Sequence, residues 1–143
     1  MFGRFGFIFA LAAFTAASLP AQSNPSVGLW KNVEPSKTVY IRTYEENGLL
    51  MGKVEKMVKG GAEDANSKCD KCTGDLKDKP IKGLGIIWGM KKDGSKWAGG
   101  KILEPDSGKV YACKIEPQDE GKKLNVRGSI AFLGKTQVWT REE

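Results

Sequence analysis

The sequence predicts an all-β fold, a small antiparallel up-and-down barrel of about eight strands with little helix. Three observations carry that reading: short runs of alternating apolar and polar residues from Gly28 to Arg141, Gly-containing turn signals between them, and glycines inside several of the runs. Period-two alternation sends successive side chains to opposite faces of a strand. Interior glycines would only weaken a flat sandwich, but in a tightly coiled barrel they let strands bend and backbones approach.

The elements follow in chain order. Gly28-Leu29-Trp30 opens a first short strand that runs to Asn32. The run Thr38 to Tyr44 puts Val39, Ile41 and Thr43 on one face and Tyr40, Arg42 and Tyr44 on the other. Asn47-Gly48 is a two-residue hairpin signal, and the return run Leu49 to Val58 completes the pair. Further strands are expected at Leu84 to Lys91, Lys96 to Leu103, Lys109 to Ile115, Lys123 to Ala131 and Lys135 to Glu142. Their separators are Asp93-Gly94, Asp106-Ser107-Gly108, Glu120-Gly121 and Leu133-Gly134. A helical turn near Ala62 to Ser67 is the most helix the sequence allows. A barrel is defined by how its first and last strands join, and Gly28, Trp30 and Arg141 are the candidates for that closure, the Arg stacking on the Trp.

Ahead of this region, Met1-Phe2-Gly3-Arg4 and the apolar run Phe5 to Phe14 read as a secretory signal peptide, with cleavage expected near Ala21 and a cut after Ala17 nearly as good. The apolar run is too short for a membrane span, and no Cys follows it for lipid attachment. The expectation is therefore an exported, periplasmic protein: residues 1–21 signal peptide, residues 22–143 a single domain with no transmembrane span, and a monomer.

Lys and Arg number 23 against 17 Asp and Glu, for a formal charge of +6. The densest stretch, Lys56 to Lys82, interleaves its lysines with acids and lacks the one-signed stripe and stacking aromatics of a nucleic-acid site. No nucleic-acid partner is expected, and weak attraction to anionic headgroups or cell-surface polymers is the most that the charge implies. The long connection Lys59 to Lys82 has the length of a loop that is functional, covalently tied or mobile.

That loop holds Cys69 and Cys72, and Cys113 lies in a later strand. An oxidising compartment predicts one disulfide. The pairing is open, with a slight preference for a long-range bond to Cys113 that would fasten the loop to the barrel wall over the local Cys69 to Cys72 bond. A thioredoxin-like role needs the Cys pair at a helix N-terminus, a context missing here, so thiol-redox chemistry is only the nearest of the enzymatic alternatives. With three Cys and no His, the chain lacks the ligand set of a structural zinc site, and no metal or other cofactor is expected.

The absence of His also removes the common triads and His-based acid-base chemistry. Paired carboxylates at Glu45-Glu46, Asp75 and Asp78, and Asp119-Glu120 sit at turns or in the loop and read as solvated charges. No catalytic residue is assigned and no enzyme is expected. An eight-stranded barrel is just wide enough to be filled or to hold one small ligand. Arg42, Trp88 and Arg127 are the weak candidates for contacting such a ligand. The leading expectation is binding of a small hydrophobic or amphipathic molecule or an envelope component. The alternative is a structural or interaction module that docks through the Lys59 to Lys82 loop.

Several segments resemble a known group. Gly28-Leu29-Trp30, Tyr44-Glu45-Glu46-Asn47-Gly48, Cys69-Asp70-Lys71-Cys72, Ile86-Ile87-Trp88-Gly89, Gly108 to Lys114 and Trp139-Thr140-Arg141 are similar to the exported bacterial domain-of-unknown-function family two-one-four-seven. The resemblance covers essentially all of the chain after the signal peptide and implies a calycin-like, lipocalin-related barrel. Lipocalins carry a Gly-x-Trp on the first strand and a late basic residue packing across that Trp, which Gly28, Trp30 and Arg141 match. The family carries no established activity or site residues to transfer.

Overall fold

The computed structural model describes residues 24–143, together with Ala13 and Ala16. Apart from those two residues, the expected signal peptide and its cleavage near Ala21 lie outside the described residues. Nine strands form one antiparallel sheet: β1 (Gly28–Val33), β2 (Thr38–Glu46), β3 (Leu49–Lys59), β4 (Ala62–Glu63), β5 (Gly85–Asp93), β6 (Lys96–Glu104), β7 (Lys109–Gln118), β8 (Lys123–Ile130) and β9 (Leu133–Arg141). The order is β2-β1-β9-β8-β7-β6-β5-β3-β4, and a further β2–β3 pairing closes it. Eight strands thus make a closed antiparallel barrel, with the two-residue β4 appended to β3.

Alternation makes the wall. Val39, Ile41 and Thr43 on β2, Leu50 and Val54 on β3, and Leu124 and Val126 on β8 are buried, while their strand neighbours face outward. Register shifts at Tyr40/Ile41, between β3 and β5, and between Trp97 and Gly100 bend the strands enough to close so small a ring. One half of the interior is packed around Trp30, Leu50, Met90, Trp97, Ile115 and Leu124.

The β8–β9 turn departs from the expected one. Leu133-Gly134 is not the turn: Leu133 pairs with Ile130 and Gly134 with Ser129, so the chain reverses at Ala131-Phe132. Ala131 supplies the positive φ of 54° that a Gly would ordinarily provide. The region expected to hold a helical turn is also different. Ala62–Glu63 is extended, and short 3₁₀ turns occur instead at Gly74–Leu76 and Asp119–Gly121. No helix among the described residues is long and apolar enough to cross a membrane.

Candidate functional site

Up-and-down connection sends the turns alternately to the two ends of the barrel. The β2–β3, β5–β6 and β7–β8 turns share one end with both termini of the barrel. The β1–β2, β6–β7 and β8–β9 turns and the long 64–84 segment share the other. The two ends differ in how the interior is finished.

At the first end, β1 and β9 meet in only two residue pairs, Trp30 with Arg141 and Lys31 with Thr140. Side chains reinforce this short seam. Trp30 is fully buried, and its Nε1 donates to Thr43 Oγ1 at 2.8 Å, whose hydroxyl in turn donates to the Ser26 carbonyl at 2.6 Å. The Arg141 guanidinium lies 4.3 Å from the Trp30 ring centroid. It donates to four backbone carbonyls, those of Gly121 (2.6 Å), Val27 (2.9 Å), Glu143 (3.0 Å) and Pro25 (2.6 Å). Partial burial lowers the Arg141 pKa. Gly28 makes room for this clamp, because a Cβ there would overlap the guanidinium and stand 2.7 Å from the Glu143 carbonyl.

At the other end the inner face is left unfilled. A cavity of about 650 Å³ runs in from the mouth, walled by Val39, Ile41, Val54, Ile102, Tyr111 and Val126 and floored by Trp139. Ligand sites commonly measure roughly 300–1,000 Å³ with apolar walls and a few polar groups. Polar groups are held on the β1–β9 side, where Asn32 Nδ2 donates to Glu34 Oε1 (3.1 Å) and Gln137 Oε1 (3.3 Å), and Trp139 Nε1 donates to the same Gln137 oxygen (3.2 Å). The rim carries charge of both signs. Lys37 on the β1–β2 turn pairs with Glu34 at 3.5 Å and with Asp106 on the β6–β7 turn, so an ionic strap joins two turns at the mouth.

This architecture belongs with a recognised group. The family model described as "Uncharacterized protein conserved in bacteria (DUF2147)" matches residues 28–141. The chain belongs to the DUF2147 family. The matched span begins and ends on the Gly28–Arg141 seam that closes the barrel. Among solved structures, protein HP1028 from the human pathogen Helicobacter pylori, described as belonging to the lipocalin family, is similar with a TM-score of 0.71. The two share 21% sequence identity over 82% of each chain. That likeness is one of fold, and it makes the DUF2147 barrel lipocalin-like. No curated protein matches the chain.

The cysteines of this DUF2147 chain pair locally. Cys69 is bonded to Cys72 and Cys113 is free, so the long-range bond favoured from the sequence does not form. The reason is geometric. A turn in which Cys72 N–H donates to the Cys69 carbonyl at 3.3 Å brings the two Cα atoms to 5.3 Å, a normal disulfide span. Cys113 is instead buried in β7, between Gly100 of β6 and Gly128 of β8.

Backbone bonds give the loop further order: Cys69 N–H to the Lys79 carbonyl, Ile81 N–H to Ser67, and Val54 N–H to Leu84. It packs against the β6–β7 turn so closely that Gly108 leaves no space for a Cβ beside the Lys71 carbonyl. Ile81 then reaches the cavity wall. At the start of the loop, the Ser67 hydroxyl and the Asn66 and Ser67 amides donate to the Asp64 carboxylate and lower its pKa to about 2. A lowered folded-state pKa stabilises above the ordinary carboxylate value near 4 and loses that contribution as pH falls toward 2. A carboxyl-carbon NMR titration is expected to show Asp64 still ionised at pH 3, and a midpoint near 4 would refute the loop geometry.

None of the three weak ligand candidates lines the cavity. Arg42 lies on the outer parity of β2, where it donates to Glu55 at 3.1 Å. Trp88 pairs with Lys101 and packs half-buried in the wall. Arg127 sits over Gly134 and donates to Thr136 at 3.3 Å. The residues that do face the space are mostly ordinary aliphatics, which carry no chemical signature in a sequence. Tyr111 and Trp139 are the aromatic exceptions, and strand alternation with buried Cys113 and Ile115 would have pointed Tyr111 inward.

Burial pushes the Cys113 thiol up to about 12. A thiol rather than a thiolate is a poor nucleophile, so alkylation at neutral pH is expected to be negligible in the folded protein and complete in denaturant. Rapid labelling under native conditions would contradict the assigned burial.

Proposed function

We propose that the protein is a non-enzymatic, exported, periplasmic barrel that takes up one small hydrophobic or amphipathic molecule through its open end. The observation that carries this reading is the combination of an unfilled apolar interior of about 650 Å³ with a polar rim. An aliphatic portion would contact Val39, Ile41, Val54 and Val126, while a polar head would remain near Asn32, Gln137 and the charged turns. A thiol-redox role receives less support, because Cys69 and Cys72 are 0% and 3% exposed and so shielded from an incoming thiolate.

Native mass spectrometry after incubation with single-chain amphiphiles of graded length tests the proposal. One molecule per chain is expected, with retention falling once the apolar portion outgrows the cavity. Ile102 is half-buried with its side chain toward the empty space, so Ile102→Trp adds bulk there rather than in the packed half. It is expected to cut uptake at least tenfold with little change in the unfolding midpoint. Equal uptake by both proteins would place the ligand elsewhere.

The Lys37–Asp106 strap leads to a kinetic expectation. Lys37→Met keeps the aliphatic stem and removes the charge, so it is expected to accelerate entry and exit several-fold while moving the equilibrium affinity much less. Stopped-flow mixing with an apolar probe reads both rates, and unchanged rates would show that the strap does not gate the mouth.

A further inference from the structure

The β8–β9 hairpin breaks two local rules at once. Its tip, Ala131-Phe132, has none of the Asn, Asp or Gly chemistry of the β2–β3, β5–β6, β6–β7 and β7–β8 turns, and Ala131 adopts a left-handed φ of 54° that residues with a Cβ seldom take. Its tip is also apolar in water: Phe132 is 93% exposed, Leu133 71% and Ile130 50%. A sequence that departs from its best local choice commonly does so at a functional position. Ile130 and Leu133 belong to the cavity mouth, so the exposed apolar cluster and the entrance are continuous.

We infer that this tip is a membrane-docking element that seats the barrel mouth on an anionic bilayer surface. The charge pattern favours lipid. From Lys122 to Thr140 the chain contains no Asp or Glu, and Arg127 and Lys135 lie behind the tip without an ion pair among the described residues. On the flanking turns, Glu34 and Asp106 are engaged by Lys37, and Lys109 stands opposite Glu104 in β6–β7 pairing.

The spacing also fits. Lys135 is two residues from Leu133, about 7 Å along a strand, and interfacial apolar groups commonly enter about 5–10 Å past the headgroups. A tip buried to Leu133 therefore brings Lys135, and then Arg127 one rung further, to the level of the phosphates. A second copy of the chain is the weaker occupant. The three side chains expose on the order of 400 Å², about half of what each partner contributes to a stable protein interface.

Flotation with vesicles tests the inference, using pure phosphatidylcholine and a mixture containing phosphatidylglycerol. Binding to the anionic vesicles is expected, weakening as salt rises. Phe132→Ser is expected to lower the partition coefficient at least tenfold. Arg127→Gln with Lys135→Gln is expected to abolish the preference for anionic lipid. Phe132 lines no part of the cavity, so Phe132→Ser should leave the unfolding midpoint and apolar-probe uptake near those of the parent protein, which separates this inference from the proposed cavity function. Three results would overturn it: no flotation with either lipid, flotation unchanged in both variants, as attachment through the apolar Phe5 to Phe14 run would give, or a self-associated parent that Phe132→Ser converts to monomer.

Discussion

Trp30→Ala is expected to destabilise the protein by about 3 to 5 kcal/mol, the range for deleting a large aromatic from a core. Trp30 is fully buried at the shortest seam of the barrel, where β1 and β9 share two residue pairs. The deletion removes packing at the base of the interior and leaves the Thr43 hydroxyl without its indole donor. Because small domains are stable by only about 5–15 kcal/mol, the loss is a large fraction of the total. Trp30→Phe separates the two contributions. It keeps most of the apolar volume, loses the hydrogen bond, and is expected to cost about 1 to 2 kcal/mol. Urea unfolding monitored by far-ultraviolet circular dichroism reads both, and an unmoved midpoint in Trp30→Ala would contradict the closure geometry.

Arg141→Ala is expected to cost about 2 to 3 kcal/mol. Stacking over Trp30 alone would give less, about 0.5 to 2 kcal/mol depending on desolvation. The larger figure comes from the carbonyls of Pro25, Val27, Gly121 and Glu143, which a single guanidinium gathers from three separate segments. Hydrogen bonds to a charged group contribute about 1.5 to 3 kcal/mol each, but these acceptors lie near solvent and recover part of that from water once the side chain is gone. Arg141→Lys keeps the charge, loses the planar fork, and should recover less than half of the loss. Combined with Trp30→Ala, the two effects are expected to fall short of additivity by about 0.5 to 2 kcal/mol, since each substitution removes the same stacked contact. Full additivity would mean that the ring and the guanidinium act independently.

The strand order and the wall of this barrel were legible because alternation is a local property. Val39, Ile41 and Thr43 against Tyr40, Arg42 and Tyr44 declare their faces within seven residues, and Asn47-Gly48 sets the register of its hairpin. Contacts between distant segments were less legible. The strap from Lys37 to Asp106 spans 69 positions of sequence, and neither residue is unusual by itself. The long loop declared its cysteines, but the Cys69–Cys72 pairing depended on a turn, stabilised by Lys79 and Ser67 contacts, that alternation does not encode. The β8–β9 turn was hidden for the opposite reason. Gly134 looked like turn chemistry, while the actual reversal uses Ala131 and Phe132, residues whose ordinary preferences point elsewhere.

The candidate site illustrates the same division. Arg42, Trp88 and Arg127 attract notice as individual residues, yet all three lie outside the cavity. Its walls are aliphatic side chains whose importance comes from what they leave empty. Whether an eight-stranded barrel is filled depends on summed side-chain volumes at one level of the ring, and here the large residues gather at the seam end around Trp30 and Trp97. The far end is left with Val39, Val54, Ile102 and Val126 around open space.

An equilibrium titration of the purified protein with an apolar fluorescent probe, run beside Ile102→Trp to locate the site, decides whether the cavity takes up a ligand. Saturable uptake of one probe per chain is expected, competed by single-chain amphiphiles and lost in the occluded variant. Absence of saturable uptake by the parent protein, or uptake that Ile102→Trp leaves unchanged, would contradict binding in the cavity.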